Sequence, residues 1–521
     1  MSATLFAGGR IHTGTGRSVE ALLARDGRIV SVGRLADVSR EAGRAERVDL
    51  GGGLMVPGWT DAHVHFMWWA IQMGQVDLRD AATLEEALTR IAARARMLPA
   101  DAWLVGGRFD KNLWGQWPTA VELDRATEGR PTSLRSRDGH SRWLNTAALK
   151  AAGIGATTTS PAGGEIERDE HGLPTGILKE NANWLVEAVV PEPSPAECLD
   201  ALRRGQVEAW RRGVTGIEDL EPANASAAFG LLHGKGELAL RVEMGIPRLD
   251  LTAAIAAGLR TGNGDEWLRT GHCKIFTDGA LGSQTAALEE PYEGSDGRGI
   301  LTIEPDELGR DVTRAAAAGI AVAIHAIGDR AVRVALDAIE PTRRTHPQLR
   351  QRVEHVQLVR DADLSRFGRL GIIPSMQPIH ATSDRDLVDQ HWGAERARRA
   401  YPWRTLVSHG AVLAFGSDAP VEPIDPLLGI YAAVARKRPG DSERWHESEA
   451  LTLDEALAGY AAGAAYATGR ERERGTLVPG MWCDATILDR DLAACGTEDW
   501  LGARVSGTVT AGVVRHADGL G

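Results

Sequence analysis

The chain has 521 residues, of which 43% are hydrophobic and 25% charged, the balance of a folded globular protein rather than a disordered or fibrous one. A net charge of −12 without basic blocks argues against a nucleic-acid partner. The four cysteines form no CxxC pair, which favours a reducing compartment over a disulfide framework. Because we find neither a signal-peptide pattern nor a membrane-spanning apolar run, we expect a cytoplasmic protein without a membrane partner.

Both ends of the chain contain short apolar runs separated by turn signals, which predict β-strands. These runs are residues 4–6, 21–23, 29–32, 484–488 and 505–514. Neither end has enough strands for a stable sheet of its own. We therefore predict one composite β-sandwich domain, built from residues 1–57 and 469–521.

Between these ends, apolar runs alternate with helical stretches rich in Ala, Leu and Arg, the pattern of βα units around a parallel sheet. The runs are residues 58–65, 214–219, 239–245, 272–277, 321–327, 352–356, 371–376 and 412–418. Eight such runs predict an α/β fold, a (β/α)8 TIM-like barrel over residues 58–468, with its chemistry at the C-terminal strand ends. The long gap after the first run predicts an insertion, about residues 80–195, over the barrel mouth. The alternative is that this stretch supplies regular barrel strands.

The strongest local motif is DAHVH, which ends the first predicted strand and contains His63 and His65. Residues two apart on a strand face the same side, so both rings project inward as a pair of possible metal ligands. Groups suited to a metal or its activated water lie near four other predicted strand ends; they are Lys274, His325, His355 and Asp418. Each also has a structural interpretation, as a core histidine, a helix cap or a surface lysine. Five strand ends out of eight favour a shared metal site.

The segments around these residues resemble a known family. They are residues 55–65 (MVPGWTDAHVH), 274–283 (KIFTDGALGS), 325–331 (HAIGDRA), 354–357 (EHVQ), 416–421 (GSDAPV) and 477–485 (LVPGMWCDA). In this order they are similar to the metal-dependent amidohydrolase superfamily, and within it to amidohydrolase family 3, the YtcJ-like branch that includes N-substituted formamide deformylases. The resemblance covers nearly the whole chain and is specific for fold and metal dependence, but it does not identify the substrate.

The resemblance implies a binuclear metal centre. Its ligands would be His63, His65, Lys274, His325, His355 and Asp418, with the first two histidines on one ion and the other two on the second. Lys274 would bridge the ions, which requires reaction with carbon dioxide to a carbamate, because an ammonium has no lone pair to give. Two zinc ions are expected, with manganese, cobalt or iron as alternatives. Asp418 would also act as the catalytic acid and base.

Other residues are second-rank candidates. His140 lies in a segment that resembles the family's DGH motif and is a further catalytic candidate, although an Asp-Gly turn in a loop gives the same pattern. The candidate substrate contacts are Asp138, Trp68, Trp69 and Asp278. Asp329 and Glu354 are candidates for orienting the ligands. The two tryptophans are equally typical of core packing.

The sequence therefore predicts a hydrolase that cleaves a non-peptide carbon–nitrogen bond (EC 3.5 type) in an amide, N-formyl or N-acyl small molecule. A metal-activated hydroxide would attack the carbonyl, and Asp418 would pass the proton to the leaving nitrogen. Two alternatives remain: an esterase or lactonase using the same site, or a non-catalytic ligand-binding or regulatory barrel. Analogy with related proteins suggests a homodimer.

Overall fold

The computed structural model describes residues 3–99, 102–136, 141–161, 164–221 and 223–520, without the side chains of Asn112 and Ala223. The chain divides into two compact units. One unit comprises Met1–Met67 and Leu202–Gly521, and the other comprises Trp68–Ala201. None of the described helices is both long enough and apolar enough to cross a membrane.

The first unit contains the predicted barrel. Its eight strands are β1 (Trp59–Val64), β2 (Val214–Asp219), β3 (Arg241–Pro247), β4 (Leu268–Phe276), β5 (Val322–Ala326), β6 (Arg352–His355), β7 (Ile373–Met376) and β8 (Ala414–Phe415). They follow one another around the sheet in chain order, and all neighbours are parallel. Each strand lies within or overlaps one of the eight predicted runs, so the predicted α/β barrel is confirmed.

The barrel closes where two candidate ligands lie. The Asp418 backbone N–H, just after β8, donates to the His63 carbonyl of β1 at 2.7 Å, and the His65 N–H donates to the Ala419 carbonyl at 2.9 Å. All six residues of β1 and of β2 are buried, as expected of parallel strands covered on both faces. Closure therefore holds the two ends of the barrel sheet together at the candidate site.

Helices surround this sheet. Apart from one helix in its N-terminal region, the first unit contains the α-helices Ala223–Gly234, Leu251–Ala256, Pro305–Ala317, Asp329–Thr345, Asp361–Leu370, Pro378–Ser383, Arg385–Ala397, Trp403–Ser408, Pro426–Ala435, Leu453–Ala458 and Ala464–Ala467. Short 3₁₀ or π turns cover Arg248–Asp250, Glu447–Glu449, Gly459–Gly463, Leu492–Ala494 and Thr497–Gly502. In Asp329–Thr345 the buried residues Ala331, Ala335 and Ile339 recur every fourth position, so this helix packs through one apolar face.

The two ends of the chain form a single eight-stranded sheet. Its strands are Ala3–His12, Ser18–Arg25, Arg28–Gly33, Glu46–Asp49, Leu54–Pro57, Ala485–Leu488, Val505–Thr510 and Val513–Ala517, with helix Leu35–Ala42 beside them. Leu54–Pro57 pairs antiparallel with Ala485–Leu488, which joins the N-terminal strands to the C-terminal ones. Both ends also share a core in which Phe6 and Leu22 accompany Ile487. The predicted composite β structure is thus confirmed.

The second unit has its own sheet of six strands in the order Gly164–Arg168, Pro174–Glu180, Ser141–Leu144, Thr132–Ser136, Leu104–Phe109 and Val76–Asp77. Its helices are Leu84–Met97, Lys111–Trp114, Ala120–Thr127, Thr146–Ala151, Asn181–Asn183 and Trp184–Glu187. The boundaries between the two units fall within the helices Phe66–Gln72 and Pro195–Arg211. These strands pair with one another. The insertion after the first barrel strand is therefore confirmed, and the alternative that it supplies barrel strands is wrong. Its predicted place over the barrel mouth stays a prediction.

Candidate metal centre

The C-terminal strand ends bring all six predicted metal ligands into one cluster. Donor atoms of His63, His355 and Asp418 lie within 4.8 Å of one another. Asp418 Oδ1 is 3.4 Å from Nε2 of both His63 and His65. The remaining two candidate ligands, Lys274 and His325, each lie beside one of these histidines. Lys274 Nζ is 3.4 Å from His63 Nε2, and the His325 ring centroid is 4.5 Å from that of His355.

Local backbone structure holds Asp418 against β1. Asp61 Oδ1 accepts from the His63 N–H at 3.2 Å and from the Ser417 N–H at 2.9 Å, and its second oxygen accepts from the Ser417 hydroxyl. A side chain at Gly416 would place its Cβ 2.5 Å from the His63 nitrogen, so only glycine fits there. Asp418 itself has φ +58°, an uncommon left-handed conformation that turns its carboxylate out of the strand direction.

The electrostatic environment favours protonation states that bind metal. Burial, followed by the charge of Lys274, lowers the pKa of His63 to about 4 and that of His325 to about 3. Burial also lowers the pKa of Lys274 to about 8. Although burial alone would raise the pKa of Asp418, His63 and the other nearby histidines hold it well below its usual range.

Neutral imidazoles, a carboxylate and a lysine with an accessible neutral form are the species that metal binding requires. Their mixture of nitrogen and oxygen donors suits zinc or another first-row divalent ion. The residues present therefore fit the metal centre implied by the sequence.

A fully buried charge network orients His63. Its Nδ1 donates to Glu354 Oε2 at 2.6 Å, which leaves Nε2 directed at Lys274 and Asp418. Arg352 donates to Glu354 Oε1 at 2.6 Å and also pairs with Glu218. Because Arg352 binds it, the pKa of Glu354 stays well below its usual range despite burial. Glu354 thus contacts His63, and its predicted role in orienting a metal ligand stays a prediction.

The network continues to His272, whose Nδ1 contacts Glu218 and whose Nε2 donates to the Arg350 carbonyl at 2.8 Å. Sequence reasoning missed Glu218, Arg352 and His272. Their signal was nevertheless present, because charged residues inside otherwise apolar parallel strands are rare unless they are paired.

The other predicted residues have varied surroundings. Asp278 Oδ2 accepts the backbone N–H groups of Gly328 and Ala287, both at 2.9 Å, so it fixes the loop after β5 beside His325; its Oδ1 lies 3.4 Å from His325 Nε2. Burial raises the pKa of Asp278 to about 7. Asp329 accepts the Glu289 N–H at 2.9 Å and so supports a loop.

Four further residues were predicted to contact the substrate or to act in catalysis: Trp68, Trp69, Asp138 and His140. Trp68 and Trp69 belong to the second unit. Asp138 and His140 lie outside the described residues. Their predicted roles in substrate contact and catalysis stay predictions.

Three residues beside the cluster were missed. Gln377 Oε1 accepts from His355 Nδ1 at 2.9 Å and orients that ring. The half-exposed Phe276 ring lies 4.9 Å from Lys274 Nζ and 5.2 Å from the His325 ring. The sequence feature that indicates this residue is its position two residues after Lys274, on the same face of the strand. The buried His380 follows β7, and its ring is parallel to that of His355 to within 12° at 6.1 Å.

Comparisons with known proteins show which family the chain belongs to. The profile of the amidohydrolase family (Amidohydro_3) matches residues 46–516. A Bacillus subtilis (strain 168) protein named as amidohydrolase YtcJ is 34% identical over 511 residues, 94% of each chain. The N-substituted formamide deformylase of Arthrobacter pascens is 30% identical over 519 residues, 95% of each chain. A crystal structure of a metal-dependent hydrolase from Pyrococcus furiosus superposes with a TM-score of 0.80 at 30% identity, covering 94% of this chain and 99% of that one. The chain belongs to the amidohydrolase family.

Proposed function

We propose that this hydrolase uses two divalent metal ions to cleave a non-peptide carbon–nitrogen bond, in an N-formyl or N-acyl amine or another small amide. The observation that carries the proposal is the cluster in which neutral imidazoles, the Lys274 amine and the Asp418 carboxylate converge at the strand ends. The similarity to an N-substituted formamide deformylase over 95% of both chains supports an amide substrate.

In this proposal His63 and His65 would hold one ion, His325 and His355 would hold the other, and Lys274 would serve as a ligand to both. Ions bound there would make water nucleophilic near neutral pH and polarise the substrate carbonyl. Lys274 is buried and its pKa is lowered to about 8, so a fraction of its side-chain amine is neutral near neutral pH. Only a neutral amine reacts with carbon dioxide. The resulting carbamate would offer two oxygens where the free amine offers one nitrogen.

Asp418 has the protonation state and the position of the proton carrier. Its low pKa keeps it ionised at neutral pH, so it can accept the proton that the attacking water loses. It then delivers this proton to the leaving nitrogen, because an amide anion is too basic to leave unprotonated. An ester oxygen needs this help less, so amide turnover is the more demanding test of the arrangement.

The test combines metal analysis with a substrate panel. Protein produced with zinc and bicarbonate is analysed for metals, then assayed for amine release from N-formyl and N-acyl amines and for acid release from matched esters and lactones. Close to two ions per chain, and amide hydrolysis that chelation abolishes and zinc, manganese, cobalt or iron restores, would support the proposal. Turnover of esters alone, or no bound metal after reloading, would contradict it.

A further inference from the structure

His380 is a buried polar side chain that none of the roles above accounts for. It lies on the short helix Pro378–Ser383, directly after β7, and is 6% exposed. Among the described residues, neither of its ring nitrogens has a hydrogen-bond partner. A buried imidazole has one donor and one acceptor to satisfy, so leaving both unpaired is unfavourable. This arrangement is typical of a group whose partner is a bound molecule.

The surroundings of His380 show where that partner would lie. Nε2 is 3.9 Å from Asp418 Oδ2, which is too far for a direct hydrogen bond. The other carboxylate oxygen of Asp418 faces His63 and His65. His380 and the metal ligands thus lie near opposite oxygens of the proton-carrying carboxylate. The negative charge of Asp418 favours the tautomer with the proton on Nε2, so the ring offers an N–H donor to the space beside Asp418.

We infer that His380 is a further catalytic residue, which donates a hydrogen bond from Nε2 to the carbonyl oxygen of the bound substrate. This inference rests on the proposed amide hydrolysis. When hydroxide oxygen adds to the carbonyl carbon, the π electron pair moves onto the carbonyl oxygen, where the His380 N–H stabilises the new negative charge. The pair then returns to carbon as the C–N bond breaks, and the nitrogen takes the proton from Asp418. The products are a carboxylic acid and an amine.

A donor of this kind acts mainly in the transition state, because the oxygen carries full negative charge only after the addition. Removing it should therefore lower kcat more than it raises KM. A residue that merely packs against His355 would instead change metal content or thermal stability. These expectations separate a catalytic role from a structural one.

The experiment compares two variants of the metal-loaded full chain. His380→Leu removes both nitrogens, whereas His380→Gln keeps an amide N–H near the position of Nε2. Thr382→Val is the matched control: Thr382 is buried on the same helix and its hydroxyl bonds only the Ile379 carbonyl among the described residues. We expect His380→Leu to keep the wild-type metal content and to lose about 10²- to 10³-fold in kcat, with little change in KM. We expect His380→Gln to regain at least about tenfold of that loss, and Thr382→Val to match the wild type.

Binding of acetohydroxamate to the cobalt-loaded protein, followed by the cobalt absorption spectrum, gives a readout that needs no turnover. Weaker binding by His380→Leu, by about tenfold or more and restored by His380→Gln, supports the inference even if no amide is hydrolysed and the proposed function fails. Wild-type kcat and hydroxamate affinity in His380→Leu would overturn it while leaving the proposed function intact. Lost metal in His380→Leu, or no recovery in His380→Gln, would also overturn it.

Discussion

Glu354 connects the buried charge network to the candidate metal centre, and Glu354→Gln tests that connection. In the structure Glu354 Oε2 accepts from His63 Nδ1 at 2.6 Å and from Arg352 Nη2 at 2.9 Å, and Oε1 accepts from Arg352 Nε at 2.6 Å. Glutamine keeps one acceptor oxygen but puts an NH2 donor in place of the other. Whichever way the amide turns, His63 Nδ1 no longer faces a charged carboxylate, so its hydrogen bond is either lost or reduced to the weaker bond with a neutral acceptor.

The size of the effect follows from these contacts. Mutating the partner that orients a metal-binding histidine typically weakens metal affinity by about 10- to 100-fold, which corresponds to about 1.4–2.7 kcal/mol. The same substitution also removes a buried charge from Arg352, which costs about 3 kcal/mol of folding stability, the lower end for a broken buried pair. Arg352 still retains its ion pair with Glu218, which favours that lower value.

Glu218→Gln is the matched control. Glu218 and Glu354 both have fully buried side chains and both pair with Arg352, but only Glu354 contacts His63. The two variants should therefore lose similar thermal stability in the metal-free form. Only Glu354→Gln should lose metal affinity, and Glu218→Gln should stay within about threefold of the wild type, well below the effect expected at Glu354.

The assay is zinc competition against a chromophoric chelator at neutral pH, alongside thermal unfolding of the metal-free proteins. Wild-type zinc affinity in Glu354→Gln would refute the orienting role. Equal losses of affinity in both variants would also refute it, because the network would then act only through general stability.

Three further predictions concern the site and its scaffold. Asp418→Asn should retain most of its metal but lose at least about 10²-fold in hydrolysis; elemental analysis with amide turnover checks this, and near-normal turnover would count against the proton-carrier role. Lys274→Ala should hold at most one ion per chain, and full two-ion loading with full activity would exclude the lysine bridge. Hydrogen bonding from Arg404 lowers the pKa of Glu455 from 4.5 to about 2. The stabilisation of the fold by the ionised Glu455 carboxylate is therefore complete above pH 4.5 and is lost as the pH falls through 2. Glu455→Gln should therefore lower the unfolding midpoint at pH 6 more than at pH 2, and equal shifts at both pH values would contradict this assignment.

Much of the barrel is readable from the sequence, because parallel strands buried on both faces appear as continuous apolar runs. The predicted and observed bounds agree fully for β2, Val214–Asp219. They differ widely for β8, where residues 412–418 are predicted but only Ala414–Phe415 form the strand. The left-handed backbone of Asp418 ends the extended conformation there, and an apolar pattern carries no information on that turn.

The candidate ligands were also predictable, since each lies at or just after a strand end and such ends converge on one face of a barrel. Their partners were not. The bond between His63 and Glu354 spans 291 positions, and that between Arg352 and Glu218 spans 134. A single sequence shows that buried charges exist in these strands, but not which of them meet. His380 was missed for a related reason, because it follows β7 on a short helix whose direction the sequence pattern does not define.

The free-energy cost of burying this charge network indicates its role in the protein. Taking Glu218, Arg352 and Glu354 out of water is expensive, and apolar side chains of similar volume would fill the same space with equal or greater stability. General stability therefore does not explain why three charges lie inside this barrel. The network ends on one nitrogen of His63, and a fixed carboxylate there sets which nitrogen is free for a metal. Orientation of His63 is thus the property that an apolar replacement could not supply, and the Glu354 and Glu218 variants separate it from stability.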